Sequence, residues 1–340
     1  MMGRRPLLRL GVLLVFVLST PTIAEAKVGH LPRGGAVLSF AGKPVSVSAE
    51  GSVIAWSKKT ACPAGLKHCY RGLVRVRSKT IAVRGVLAGA DIDLGRGPTG
   101  KVVAAYVRCS PAGVCSVYSF DPASRVETQL PLTLTPGCDP AAPRVAGGNV
   151  AYIQTGKGCA APGLYVAAVA TGAVAWQAWK TAGDLEAANT DELVGDALYW
   201  STTLAPQDTD SRSQPDRIYS GQLETRAYAP IKRGTTSADF SFEELSVSGN
   251  KLFFVLRFSG TEQGASESVE YQTISGPKRS CRTKGLGTNF DPGAPGSFLL
   301  GLAASGKYLY VVLAREDTSN KRHPNQLIRY RISSLKRSCT

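Results

Sequence analysis

The stretch Val145-Ala-Gly-Gly-Asn-Val-Ala-Tyr-Ile-Gln154 combines an apolar residue, a glycine turn and an apolar run that contains an aromatic residue. The pattern occurs six times along the chain, with turn glycines at positions 51, 100, 148, 195, 249 and 306. Intervals of roughly 50 residues are typical of one four-stranded blade of a β-propeller. The sequence therefore predicts an all-β, six-bladed β-propeller. Seven blades are the alternative, because the stretch 195–306 is long enough to contain one degenerate copy.

Strand patterns agree with this fold. Apolar and polar residues alternate in residues 73–77 and 327–332, as in half-buried strands. No segment keeps a helical period, so we expect almost no helix, with at most one turn near residues 184–191. Residues 36–40 precede the first blade, and we expect them to complete the last blade beside residues 327–332 and so close the ring. The alternative is that residues 335–340 close that blade.

The N-terminus has the features of a secretory signal. Three arginines in the first nine residues precede an apolar run over residues 10–18, and residues 24–26 read Ala-Glu-Ala, a small-x-small cleavage pattern. We expect a signal peptide over residues 1–26 and a single propeller domain over residues 27–340. No later segment is apolar for 18 residues, so the mature chain is expected to lack a transmembrane anchor and to be a secreted, extracytoplasmic monomer at the cell envelope.

The chain is strongly basic, with 40 Lys and Arg against 25 Asp and Glu and a formal net charge of +15. In an exported protein, such a charge favours phospholipid head groups and acidic envelope polymers as partners. Nucleic acid is not expected as a partner. The alternative is that the excess charge only increases solubility.

Eight cysteines in an exported chain indicate disulfides. Two pairs bracket short hairpin loops, a third flanks the third hairpin, and the fourth follows by elimination: Cys62 with Cys69, Cys109 with Cys115, Cys138 with Cys159, and Cys281 with Cys339. There is no C-x-x-C motif, and the three histidines lie far apart in the sequence, so we expect neither a metal site nor a cofactor.

The second repeat, Asp91-Ile-Asp-Leu-Gly-Arg-Gly-Pro-Thr-Gly-Lys-Val-Val-Ala-Ala-Tyr106 followed by Val117-Tyr-Ser-Phe-Asp-Pro122, resembles the TolB-like or WD40-like propeller repeats of bacterial envelope proteins. The resemblance covers about residues 40–340. The Ser-Pro-Asp-Gly turn of that family is present only in altered forms, such as Gly-Pro-Thr-Gly. The resemblance implies a platform that binds a protein or a ligand, and it does not exclude catalysis.

Signals for catalysis are weak. The chain has no G-x-S-x-G motif, and His30, His68 and His323 are each expected to be solvated. The segment 95–102 contains most of a phosphate-loop pattern, but Val102 stands where a hydroxyl is needed, so we predict a hairpin turn there. We therefore predict that the protein is not an enzyme and has no catalytic residues.

Four acidic residues recur nine or ten positions before the turn glycines of blades 2 to 5: Asp91, Asp139, Glu186 and Asp239. They lie in the links between one blade and the next, which converge on one mouth of the central channel of a propeller. One interpretation is that each side chain caps backbone amides at the start of a strand. The other is a ring of carboxylates that binds a cation or the basic end of a ligand.

The long loops that join the second strand of each blade to the third are expected on the same face as these links: 57–70, 109–115, 155–162, 204–216, 259–268 and 314–326. Binding sites favour loops on a rigid scaffold. Blades 1 and 6 supply a basic sector to this face: Lys58, Lys59, Lys67, Arg71, Lys321 and Arg322. Blades 4 and 5 supply an acidic sector: Asp208, Asp210, Asp216, Glu262 and Glu267.

These observations together predict an exported, non-catalytic propeller that binds a protein or an anionic polymer at the cell envelope. The alternative is an enzyme that acts on envelope glycans through carboxylates at the mouth of the channel, because that reaction needs only two acids at a suitable separation.

Overall fold

The computed structural model describes residues 35–181, 187–203, 217–233, 240–260, 264–276, 279–290, 297–316 and 322–339. These residues form six antiparallel sheets, each containing consecutive strands of one repeat. Helical structure within them is limited to the 3-10 turns Ser39–Ala41 and Ile332–Ser334. The predicted all-β, six-bladed propeller is confirmed. The predicted signal peptide lies outside the described residues.

The strands of blades 1 to 3 follow one another from the innermost to the outermost position. Blade 1 contains β2 (Ser46–Glu50), β3 (Val53–Lys59), β4 (Tyr70–Val76) and β5 (Lys79–Ala82). Blade 2 contains β6 (Ile92–Arg96), β7 (Val102–Cys109), β8 (Cys115–Asp121) and β9 (Val126–Gln129). Blade 3 contains β10 (Asp139–Ala146), β11 (Asn149–Thr155), β12 (Gly163–Ala168) and β13 (Val174–Lys180).

Blades 4 to 6 have the same order, with two strands added from the chain ends. Blade 4 contains β14 (Ala187–Val194), β15 (Ala197–Thr203), β16 (Arg217–Gln222) and β17 (Tyr228–Arg233). Blade 5 contains β18 (Phe240–Ser248), β19 (Lys251–Gly260), β20 (Gly264–Thr273), β21 (Ser280–Phe290) and β25 (Arg337–Cys339). Blade 6 contains β22 (Ser297–Ser305), β23 (Tyr308–Glu316), β24 (Arg322–Arg331) and β1 (Ala36–Val37).

The hydrophobic core is divided into six clusters, one at each junction between neighbouring blades. Successive side chains of a strand point to opposite faces of the sheet, so the second strand of each blade contributes to two junctions. In blade 1, Ala55 packs against blade 2 and Trp56 packs against blade 6. No blade can bury both of its faces alone, which is why the repeats form a closed ring.

The N-terminal strand closes this ring. β1 pairs with β24 in the register Ala36↔Arg329, and the amide of Leu38 donates a hydrogen bond of 2.8 Å to the carbonyl of Leu327. The prediction that this segment completes the last blade is confirmed for residues 36–38, whereas the 3-10 turn Ser39–Ala41 ends the strand earlier than expected. The C-terminus does not close blade 6, since β25 pairs with β21 at the outer edge of blade 5.

All four predicted disulfides are confirmed. Cys62–Cys69 and Cys109–Cys115 each close one hairpin loop, and Cys138–Cys159 joins the link before β10 to the loop after β11. Cys281–Cys339 fixes β25 to blade 5, and its two cysteines are separated by 58 positions in the sequence. Disulfides of this number are typical of proteins that mature in an oxidising compartment outside the cytoplasm.

Some local predictions need correction. The helical turn predicted near residues 184–191 is wrong for residues 187–191, which pair with β15 as part of β14. The loops predicted over 259–268 and 314–326 are shorter than expected, because the ladders β19/β20 and β23/β24 continue into them, as in the pair Ser259↔Ala265. The segment 97–101 is a hairpin turn, as predicted. Within the described ranges, no helix has the length and hydropathy to span a bilayer.

Candidate functional site

A ring of polar residues lines the junctions between the innermost strands. In five blades the ring residue lies opposite the third residue of the second strand, as in the pairs Ser48↔Ala55 and Arg144↔Ala151. In blade 2 it is Asp93, which lies opposite Ala105, the fourth residue of β7. Five of the six blades have a polar residue there and blade 6 has an alanine: Ser48, Asp93, Arg144, Glu192, Ser246 and Ala303. Equivalent residues therefore occupy one level of the channel wall.

Each polar member of this ring forms a hydrogen bond to the backbone of the next blade. The amides that donate to the four acceptors, with their distances, are Leu94 to Ser48 Oγ (2.9 Å), Val145 to Asp93 Oδ2 (3.1 Å), Val247 to Glu192 Oε1 (3.4 Å) and Ala304 to Ser246 Oγ (2.9 Å). Arg144 Nε instead donates to the carbonyl of Asp191 at 2.9 Å. Blade 6, with Ala303, uses Ser305 Oγ, which accepts from the amide of Gly51 at 2.8 Å.

These bonds hold all six innermost strands in the same direction and at the same level along the axis of the propeller. The two ends of the ring therefore differ. The loops between second and third strands and the links between blades lie at one end, which we name the loop face. The turns that join first to second and third to fourth strands lie at the other end, the turn face.

Charge is concentrated in one part of this ring. Three consecutive blades contribute Asp93, Arg144 and Glu192, and Asp191 and Glu244 lie close enough to influence the charge state of Arg144 or to respond to it. We name these five residues the channel cluster. Arg144 Nε lies 4.0 Å from Glu192 Oε2, and both side chains remain partly accessible, at 14% and 17% exposure. One buried guanidinium is therefore surrounded by several carboxyl groups.

Two irregularities in the backbone shape the cluster. The ladder between β10 and β11 shifts register between Ala141 and Arg144, and the ladder between β18 and β19 shifts between Glu243 and Ser246. Within these bulges, Ala142 and Glu244 have positive φ angles of 44° and 54°. Such conformations are unfavourable for residues other than glycine, and bulges commonly redirect side chains next to functional sites. The bulge in β18 is what brings Glu244 to the channel.

The surroundings raise the pKa of every carboxyl group in the cluster. Burial is the main cause, and it raises the pKa of Asp191 and that of Glu244 to about 7 each, against an opposing effect of Arg144. Burial also raises the pKa of Glu192 well above its usual range and raises that of Asp93. Since low-dielectric surroundings disfavour charge, all four carboxyl groups favour the protonated form more than exposed carboxyl groups do.

Asp191 is the most unusual member. Its side chain is fully buried, and neither carboxyl oxygen has a hydrogen-bond partner among the described residues. Across the ladder it faces Trp200, whose indole nitrogen is also without a partner there. A buried polar group without partners costs stability. Burial of the Asp191 side chain therefore lowers the stability of the folded protein.

The structure does not bring together all four carboxylates that were predicted to lie at the mouth of the channel. Asp91 is exposed just before β6, and its negative charge raises the pKa of Asp191 and that of Glu244, so it borders the channel cluster. Asp139 begins β10 as an exposed residue beside the loop after β11. Glu186 and Asp239 lie outside the described residues. No group of three or more potential metal ligands is found in the described part of the chain.

The sequence analysis missed the channel cluster itself. A usable signal was present, because Ser48, Glu192 and Ser246 each lie three residues before a turn glycine. Asp93 lies seven residues before its glycine, because the turn over residues 97–101 is longer. The variable spacing concealed the equivalence of these positions.

The basic sector is partly in place on the loop face. Lys58 and Lys59 end β3, Arg71 faces Lys58 across the ladder, and Lys67 lies in the loop closed by Cys62–Cys69. Like charges directly opposite each other are unfavourable unless an anion lies between them. Of the two residues predicted from blade 6, Lys321 lies outside the described residues and Arg322 is described only by its place at the start of β24.

The prediction that Glu267 belongs to an acidic sector on the loop face is wrong. This side chain is only 1% exposed, and it accepts hydrogen bonds from Arg257 Nε at 2.8 Å and from the amide of Leu299 at 2.6 Å. It is buried because β19 and β20 continue pairing past this position. The other four predicted acidic residues, Asp208, Asp210, Asp216 and Glu262, lie outside the described residues.

No protein-family model and no curated protein sequence matches this chain. Among solved structures, TolB from Acinetobacter baumannii is similar, with 16% identity and a TM-score of 0.47 over 82% of this chain and 63% of TolB. The acylaminoacyl peptidase of Pyrococcus horikoshii has 9% identity and a TM-score of 0.50 over 87% of this chain and 52% of the peptidase. The β-propeller domain of the Trilobed protease from Pyrococcus furiosus has 8% identity and a TM-score of 0.47 over 87% of this chain and 94% of that domain.

This chain thus spans less than two thirds of the length of TolB and about half of the peptidase. Identities this low show the fold alone. The predicted propeller fold itself is confirmed by the six blades of the structure.

Proposed function

We propose that this protein is an exported, non-catalytic binding module that takes its partner on the loop face. The observation that carries the proposal is the common alignment of the innermost strands, which brings the described second-to-third-strand loops to one end of a rigid ring. The three disulfides on this face hold the loops and one inter-blade link of blades 1 to 3 in place. Pre-organised loops lose little conformational entropy on binding, which favours affinity.

The charges of the loop face suggest the class of partner. Blade 1 presents four cations, Lys58, Lys59, Lys67 and Arg71, whereas the acidic channel cluster and Asp91 lie near the axis. A protein or polymer with an anionic segment over blade 1 would relieve the repulsion between Lys58 and Arg71. Export to the cell envelope is part of the proposal and is supported by the N-terminal signal features and by the four disulfides.

Site-specific cross-linking tests the proposal. A photo-reactive amino acid at Lys67 is expected to give discrete adducts in the intact envelope. The matched control at Arg226, an exposed residue in the turn before β17 on the turn face, is expected to give no adduct with a protein or an envelope polymer. Replacing all four blade 1 cations with glutamine should weaken retention on isolated anionic envelope polymer, with a loss that diminishes as salt rises. Equal adducts from both positions, or none from Lys67, would contradict the proposal.

The raised pKa values in the channel cluster favour one alternative, an enzyme that acts on envelope glycans. Glycoside hydrolysis needs one protonated and one ionised carboxyl group near neutral pH, and burial raises the pKa of Glu192 and that of Glu244, as the protonated member of such a pair requires. A glycan-hydrolysis screen decides between the two functions. Turnover lost in Glu192→Gln and kept in the exposed control Asp139→Asn supports the enzyme, and no turnover by the wild type removes it.

A further inference from the structure

The turn face carries a second concentration of positive charge, which the sequence analysis did not identify. Six cations lie at or beside the turns of blades 5, 6 and 1: Lys251, Arg279, Lys307, Arg331, Arg77 and Lys79. We name them the basic turn patch. Lys251 is half-buried and the other five are exposed. Because blade 6 adjoins both blade 5 and blade 1, the six cations lie on three consecutive blades.

Acidic residues are missing from this region. The segments 245–260, 271–290, 297–315 and 321–340, which make up most of blades 5 and 6, contain no Asp or Glu. None of the ion pairs between described residues includes a member of the patch. The acidic residue in the neighbouring turn of blade 1, Glu50, already pairs with Arg96 of blade 2 at 2.9 Å. The charge of the patch is therefore not neutralised within the described structure.

The inner part of this face, formed by the turns between first and second strands, is nearly flat. In blades 5 and 6 the first two strands are joined by two-residue turns, as the pairs Ser248↔Lys251 and Ser305↔Tyr308 show. The ring of inter-blade hydrogen bonds holds these turns at one level. A surface built in this way fits a flat anionic partner better than a single extended chain, which needs a groove that follows its backbone.

Apolar side chains lie on the same face, on the other side of the ring. Val126, Val174 and Val194 are 56%, 47% and 41% exposed, and each lies at the turn-face end of its strand in blades 2, 3 and 4. Exposed valines add nothing to binding of a hydrophilic polymer, whereas the boundary between lipid head groups and acyl chains accepts small apolar side chains. Cations and valines together favour a bilayer surface.

We propose that the turn face docks on the anionic phospholipid surface of a membrane through the basic turn patch. Phosphate groups of the lipids neutralise the cations of blades 5, 6 and 1, and the three valines rest against the interface. The loop face then points away from the bilayer. This inference goes beyond the proposed function, because it assigns a second surface with a different ligand.

Vesicle co-sedimentation tests the proposal. The wild type is expected to bind vesicles that contain phosphatidylglycerol and not vesicles of phosphatidylcholine alone, and this binding should weaken as salt rises. Each cation removed near an anionic surface weakens partitioning about fivefold, so the variant K251Q/R279Q/K307Q/R331Q should bind weaker by a factor on the order of several hundred. The matched control K58Q/K59Q/K67Q/R71Q removes the same charge from the loop face and should bind vesicles like the wild type.

Three results would overturn the proposal: equal losses in both variants, which would make net charge alone responsible; no preference for phosphatidylglycerol; or binding of soluble polyphosphate by the turn face without binding of vesicles. The melting temperatures of both variants verify that they fold. Because the loop-face variant tests the proposed partner and the turn-face variant tests the membrane, failure of one proposal is distinguishable from failure of the other.

Discussion

Substitution of Asp191 by asparagine should stabilise the protein in a pH-dependent way. The group has a pKa of about 7 in the folded chain against an ordinary value of 3.8, so the folded state favours the protonated form. Its contribution to stability is fully present below the unfolded pKa and is lost as pH rises from about 4 to about 7. At 1.36 kcal/mol per pKa unit, the loss amounts to at most about 4 kcal/mol. Asparagine has nearly the same shape and cannot ionise, so it avoids this loss.

The measurement is thermal unfolding of the wild type and of Asp191→Asn at about pH 4 and about pH 8, where the ionisation of the wild-type group differs most. Near pH 4 the two proteins should melt within about 2 °C of each other, because both side chains are neutral. Near pH 8 the variant should melt higher, by up to about 8 °C for a chain of this size. Asp139→Asn is the control, since Asp139 is exposed and its substitution should change neither value.

A variant that is less stable than the wild type near pH 8 would refute this reasoning. It would mean that the ionised carboxylate is stabilised inside the wall, by Arg144 or by a bound cation, by more than its burial costs. A stabilisation that is equal at both pH values would also refute it, because the effect would then not arise from ionisation.

Three further predictions concern the ring. Replacing Cys281 and Cys339 with serine should cost about 4 kcal/mol, against about 2 kcal/mol for Cys109 and Cys115, because the longer closed loop restricts the unfolded chain more; equal losses of melting temperature would contradict this order. Deleting residues 27–41 should cost about 3–5 kcal/mol, because the pairing of β1 with β24 is lost together with the hydrogen bond of 3.0 Å from Trp56 Nε1 to the carbonyl of Ala41; an unchanged melting temperature would show that blade 6 closes without β1. Ser246→Ala should cost about 1–2 kcal/mol in chemical denaturation, since the buried amide of Ala304 loses its acceptor; a neutral result would mean that water replaces the hydroxyl.

The fold could be predicted from the sequence because its determinants are local. A glycine turn followed by an apolar run recurs at a regular interval, and each copy encodes the same hairpin. The short separations within Cys62–Cys69 and Cys109–Cys115 allow only nearby partners, so these pairings could also be read directly. The closing strand was predictable because residues 36–40 precede a complete set of blades.

The channel cluster could not be predicted in the same way, because it depends on register between blades. Asp93, Arg144 and Glu192 are equivalent in space but lie at different distances from their turn glycines. The bulge at Glu244 inserts a residue that no periodicity indicates. Glu267 was assigned to a solvated loop for a related reason, since nothing in its immediate neighbours shows that the ladder of β19 and β20 continues.

The two chain ends also determine the order in which the molecule can be completed. Ala36 is synthesised long before its partner Arg329, and β25 joins blade 5 only after all of blade 6 has been made. An incomplete chain therefore leaves β1 without its partner β24 and the outer edge of β21 without β25, and unpaired strands of this kind pair readily with other molecules. Closure of the ring is thus a late step in synthesis, and the bond between Cys281 and Cys339 can form only after all of blade 6 has been made.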